Sequence, residues 1–296
     1  MKAILILAFG AVSLRADLVP EVRALLNAGN LSGAEAHVRA FQARNGATPE
    51  MIEAFSWLGR GANSMKRYDE AQHFATETRK LAFEALKKRP LDAEPRLPTA
   101  LGASIEVTGN AMAAQGARSE AVAFLQAELA KYRSTSIRAR IQKNIHVLSL
   151  EGKPAPALEK VDMASLKGKP AVLFFWAHWC SDCKKVGPML DRLKQQYPDL
   201  QVVGLTQLYG YVQAGQEAPP EAELKYIEQI RQQFYGDLLP KSSPVSSENF
   251  KRYGSSSSPT LVLVDREGLV RMYNPGSIGY DELAAKIAAV YGKKAA

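Results

Sequence analysis

Ala171-Val172-Leu173-Phe174-Phe175-Trp176-Ala177-His178-Trp179-Cys180-Ser181-Asp182-Cys183-Lys184-Lys185 is the stretch on which the reading of this chain turns. Its first six residues are a continuous apolar run, the pattern of a strand buried on both faces. The two thiols follow, and an amphipathic helical pattern continues through Leu190, Leu193 and Tyr197. Two residues separate the sulfurs, so one helical turn brings them within disulfide reach. Cys180 and Cys183 are the only two cysteines in the 296 residues. A chain with all its cysteine in one CxxC is not building a disulfide framework, and the pattern points to redox chemistry at one place.

Working outward, strand and helix alternate on the C-terminal side. Leu200 to Leu205 reads as a second buried strand, Pro219 to Tyr235 as an amphipathic helix and Thr260 to Asp265 as a third strand. Glu267-Gly268 makes a tight turn into a hairpin strand from Leu269 to Tyr273, and Tyr280 to Tyr291 closes the pattern as a helix. On the N-terminal side, Gly152-Lys153-Pro154-Ala155-Pro156 ends the helical periodicity and reads as a linker.

Thiol–disulfide exchange needs a reactive thiolate with a resolving thiol beside it, and a strand-to-helix junction supplies both. A sulfur at a helix N-terminus meets unpaired N–H groups and the positive end of the macrodipole, which favour its anion. Cys180 is therefore the predicted nucleophile. Cys183, one turn further in, is the predicted resolving thiol that attacks the mixed disulfide from behind. Trp179 is expected to shield the attacking sulfur.

Several motifs resemble the TlpA/ResA-like thioredoxins. They are Gly152 to Pro156, Leu166-Lys167-Gly168-Lys169-Pro170, Phe175 to Cys180, Pro188, Ser258-Pro259-Thr260 and Val264-Asp265-Arg266-Glu267-Gly268. The resemblance covers about residues 151–296 and implies an α/β thioredoxin-like fold with a central mixed sheet flanked by helices. It implies that Pro259 is a cis-proline facing the disulfide, that the backbone of neighbouring Ser258 pairs with a bound substrate chain, and that Pro188 kinks the active-site helix. It also implies that the helix at 219–235 is that family's insertion. Two positions depart from the pattern: Phe174 stands where thioredoxins carry a buried acid, and Val186 stands where the TlpA/ResA-like proteins often carry Glu. Asp182, between the cysteines, is the nearest alternative proton acceptor.

Other site chemistries lack their residues. A c-type haem site needs His at position 184, which is Lys; a zinc site needs four ligands; a peroxidatic cysteine needs Thr or Ser at 177, which is Ala. No metal or organic cofactor is expected. A copper chaperone would recruit His178, which reads more simply as an exposed loop histidine. His37, His73 and His146 are dispersed and read as surface residues. Trp57 and the N-terminal phenylalanines read as core.

Residues 17–150 read as helix after helix, rich in alanine and poor in β-branched residues. Leu31-Ser32-Gly33-Ala34-Glu35 suggests a capping box, and Thr48-Pro49-Glu50 another helix start. Gly33 to Ala36, Tyr68 to Ala71 and Arg118 to Ala121 repeat weakly. The first two copies are 35 residues apart, near the tetratricopeptide period. An all-α, TPR-like domain of helical hairpins is expected. Residues 1–16 read as a signal peptide: Lys2, an apolar run from Ala3 to Val12, and a candidate cleavage site at Leu14-Arg15-Ala16. Export would place the chain in the periplasm or another extracytoplasmic space, soluble after cleavage or membrane-tethered without it. The net charge of +8 is scattered among acids rather than gathered in a patch, which excludes nucleic acid as a partner.

The combined expectation is an exported thiol-disulfide oxidoreductase acting on protein disulfides. The resemblance implies that it works as a reductant fed by a membrane electron donor. The alternative is a partner-binding protein whose helical hairpins grip a protein, with the thioredoxin-like half as scaffold or accessory.

Overall fold

The computed structural model describes residues 17–292, so the signal-peptide reading lies outside the described residues. Two compact units emerge, residues up to 104 and residues from 105. The change from helical to alternating pattern at 150/151 falls inside the second.

The first unit contains α1 (Leu18–Asn27), α2 (Leu31–Asn45), α3 (Pro49–Ser64) and α4 (Tyr68–Leu86), and α5 (Arg96–Ala114) begins in it. Its helix starts follow local chemistry. The Thr48 hydroxyl accepts from the Met51 N–H and Pro49 takes the first turn, as read from sequence. The expected capping box at Ser32 does not form: Asn30 caps α2, its side-chain oxygen accepting from Gly33 N at 2.8 Å. Phe55 and Phe74 are buried edge to face at 5.8 Å, whereas Phe83 is exposed and so corrects its reading as core.

In the second unit, α6 (Arg118–Lys131) and α7 (Arg138–Ser149) precede α8 (Met163–Leu166), β1 (Ala171–Phe175), α9 (Ser181–Gln196), β2 (Gln201–Leu205) and α10 (Pro220–Tyr235). Then come α11 (Ser247–Tyr253), β3 (Thr260–Val264), β4 (Val270–Pro275) and α12 (Tyr280–Gly292). The strands form a mixed sheet of order β2-β1-β3-β4, with β1 parallel to β2 and antiparallel to β3. All five residues of β1 are buried, as an apolar run in a central strand requires. Alternate side chains serve two cores. Val172 and Phe174 join the layer of α9, α10 and α12, while Leu173 and Phe175 join Leu150, Leu158, Phe250 and Tyr253 on the other face.

The segment read as a linker is not free. Gly152 N and Ala155 N donate to Val270 O and Gly268 O, and Val270 N donates to Lys153 O, so the segment runs antiparallel beside β4. Helix α7 also belongs to this unit. It meets α11, where His146 Nε2–H donates to Arg252 O at 2.9 Å and the ring lies 5.6 Å from that of Tyr273. His146 is thus partly buried, unlike its surface reading.

Candidate active site

The register places the site. Phe175, the last residue of β1, pairs with Thr260, the first of β3. The chain therefore leaves β1 toward the cysteines at the same end of the sheet where Ser258-Pro259 enters β3. The Ser258–Pro259 peptide bond is cis.

Cys180 is the N-cap of α9 and forms a disulfide with Cys183 across a Cα–Cα distance of 5.3 Å. The Cys183 N–H points at the Cys180 sulfur at 3.0 Å, one of the unpaired first-turn donors of the helix. Cys180 keeps 3% exposure and Cys183 none. Trp179 is 48% exposed and sits edge-on to Tyr209, the ring centroids 5.6 Å apart. Pro188 lies inside α9, where it cannot donate to the Lys184 carbonyl.

Asp182 is at the surface. Its carboxylate accepts from Lys185 Nζ at 2.7 Å, and that bond holds the Asp182 carboxyl below its ordinary range. Buried Cys183 faces the interior instead, so the two are not brought together as a thiol and its base.

The positions that depart from the family pattern are filled by packing. Phe174 is fully buried with its ring 5.6 Å from that of Tyr235, and Trp176 meets the same tyrosine at 5.0 Å. Gly187 lets α10 approach this cluster, since a Cβ there would stand 2.8 Å from Tyr235 Cδ1. Val186 is buried in the same core.

His178 overturns its reading as an exposed loop residue. It is 1% exposed, and its Nε2–H donates to Oε1 of Glu223 at 3.2 Å. The rings of Tyr209, Tyr211 and Tyr226 stand around it edge-on at 5.5, 5.4 and 5.3 Å. Glu223 is itself fully buried in the first turn of α10 and also accepts from the backbone N–H groups of Tyr209 and Gly210. Burial pushes the His178 imidazole down from its ordinary value, against the pull of Glu223, so the ring is neutral at neutral pH. Burial also lifts the Tyr209 phenol to about 12, against the pull of Gln207 and Ser258. The sequence carried only a faint sign of this pair: a glutamate among apolar positions of an amphipathic helix, and a histidine between two tryptophans.

Residues 158–291 match the family profile of a thioredoxin-like domain. The C-terminal half of this chain carries that domain.

The TlpA/ResA-like resemblance holds across it, with relatives named ResA and DsbE. A thiol-disulfide oxidoreductase ResA of Bacillus thuringiensis (strain Al Hakam) is 27% identical over 129 residues, covering 43% of this chain and 63% of the relative. The match therefore spans less than two thirds of that relative's length. A thiol:disulfide interchange protein DsbE of Pseudomonas fluorescens biotype C is 28% identical over 151 residues, covering 47% of this chain and 76% of the relative. Among solved structures, the exposed lipoprotein thioredoxin Etrx1 of Streptococcus pneumoniae strain TIGR4 aligns at 25% identity and a TM-score of 0.34, over 44% of this chain and 88% of that one. In the thioredoxin-like domain described here, α10 is the element that brings Glu223 to the cysteine approach.

Proposed function

We propose that this protein is a thiol-disulfide oxidoreductase that reduces protein disulfides outside the cytoplasm through Cys180 and Cys183. The observation that carries the reading is the Cys180 sulfur at the N-cap of α9, met by the Cys183 N–H. After reduction, that donor and the helix macrodipole favour a thiolate at Cys180. The Cys180 thiolate attacks one sulfur of a client disulfide, the client S–S bond breaks, and the leaving sulfur takes up a proton. The Cys183 thiol then loses its proton and attacks Cys180 in the mixed disulfide, releasing the second client thiol. The client gains two electrons and two protons while Cys180–Cys183 becomes the disulfide. Resetting the pair requires a dithiol donor, and export implies one that reaches across the membrane. No metal or organic cofactor enters these steps.

Pro259 and Ser258, at the same end of the sheet, present backbone to an extended client chain, and exposed Trp179 offers it an apolar face. The helical hairpins of the N-terminal part supply a second grip that selects the client. Among the described residues no helix is long and apolar enough to cross a membrane.

Insulin reduction by the pre-reduced protein, with Cys180→Ala as control, tests the activity. Cys183→Ala is expected to accumulate mixed disulfides with clients, and Cys180→Ala to accumulate none. Equal trapping by both would overturn the assignment of nucleophile. A reduction potential near −120 mV, on the order of that of a strong oxidant, would overturn the reductant direction.

A further inference from the structure

Glu223 is a fully buried carboxylate whose three hydrogen-bond contacts are all N–H donors: His178 Nε2, Tyr209 N and Gly210 N. An acceptor-only group suits such a site in its ionised form. The clasp joins three elements at the cysteine approach, namely the loop between β1 and α9, the loop after β2, and the start of α10. Fastening alone does not call for a charge, because a buried ion pair or charged hydrogen-bond network is generally no better for stability than apolar packing of the same shape. The charge itself therefore invites a role.

We propose that Glu223 is a positioning residue for the dithiol: through His178 it fixes the Trp179–Cys180 approach, and its buried negative charge raises the pH at which Cys180 ionises. The reasoning is electrostatic. His178 lies two residues before Cys180 and passes the clasp directly to the cysteine loop. The imidazole is neutral, so it does not cancel the carboxylate charge. In a dry interior such a charge acts over a longer range than in water. Burial first, and the Glu223 charge after it, push the Tyr209 and Tyr211 phenols above their ordinary range. A like charge disfavours the thiolate, which opposes the pull of the helix N-terminus. The groups facing this centre are Tyr209 and Tyr211 from the loop after β2, Tyr226 from α10, and Lys184 from α9. Asp182 and Lys185, next to Cys180 on its own helix, pair with each other at the surface. Lys184 Nζ is drawn over the Phe234 ring at 4.5 Å. Within this group of residues Glu223 is the buried acid, and it comes from α10 rather than from the strand of Phe174 or the active-site helix of Val186.

The inference deepens the oxidoreductase reading and rests on Cys180 being the reactive thiol. Its test uses neither client nor donor, so a protein without disulfide-reductase activity would still report on it. The reduced full chain is alkylated across a pH series, and the midpoint for Cys180 is followed by peptide mass. Glu223→Gln is expected to lower that midpoint by on the order of one pH unit, about tenfold more thiolate at a fixed pH below it. Glu223→Asp keeps the charge and is expected to stay nearer the unsubstituted protein than the Gln variant does. An unchanged midpoint in folded Glu223→Gln would sink the proposal, as would an Asp variant that moves as far as the Gln variant. Should Glu223→Gln fail to fold, the His178 ring resonances of the unsubstituted reduced protein take its place. They are expected to inflect at the Cys180 midpoint and to lose that inflection in the oxidised protein, and a reduced protein without it refutes the coupling.

Discussion

At the residue scale, one position shows both what could be read and what could not. The roles assigned to Cys180 and Cys183 rest on spacing and on a strand-to-helix junction, and both features are local. Phe174 is different. Its departure from the acid of thioredoxins was visible in the chain, but the reason lies 61 residues on, in the Tyr235 ring that it meets edge-on. His178 was hidden for the same reason, because its partner Glu223 is brought to it by α10, whose docking no local pattern records. Phe174 is expected to act as a packing residue. Phe174→Ala should cost about 3–5 kcal/mol in denaturant unfolding of the oxidised protein, while the Cys180 alkylation midpoint stays close to that of the unsubstituted chain. A large change in that midpoint with little loss of stability would show that position 174 bears on the thiols instead.

At the scale of elements, β1, β2 and β3 were legible because largely apolar runs suit a buried mixed sheet, and β4 because the Glu267-Gly268 turn leads into it. The observed β1, β2, β3 and β4 each lie within a residue or two of the expected bounds. Helix α11 escaped notice: seven residues long, it has too few turns to show periodicity. It is made by its ends. Ser246 accepts from Asn249 N at the start, and Gly254 closes it in the left-handed conformation at φ 59°. That glycine also admits α7, since a Cβ there would stand 2.7 Å from the Gln142 carbonyl carbon and closer still to Lys143 N. Gly254→Ala is therefore expected to combine left-handed strain with a backbone collision and to destabilise the domain by about 2 kcal/mol or more. Hydrogen exchange should show the loss at α7 and α11 first. Uniform protection, unchanged in α7, would show that the two helices do not depend on this contact.

At the scale of the whole molecule, two histidines tie stability to acidity. Burial lowers His146 and His178 below the ordinary imidazole value of 6.5. The unfolded chain then binds more protons than the folded one near that pH. Stability is fully present above about 6.5 and is lost as the pH falls through the folded values. Thermal unfolding of the oxidised protein should thus shift to lower temperature between about pH 7 and pH 5. His146→Gln should flatten part of that slope, and an identical slope in the variant would assign the loss to other groups. The division of the chain was the least legible feature at this scale. A break in composition at 152–156 resembles a tether, and only pairing with β4 reveals that it is structural. That pairing has a consequence for anyone trimming the chain. Residues 152–155 occupy the outer rim of the sheet, where β4 would otherwise offer open backbone groups to a strand from a neighbouring molecule. A fragment cut to the profile-matched span of 158–291 would lose this cover, and its self-association would be a property of the cut and not of the native protein.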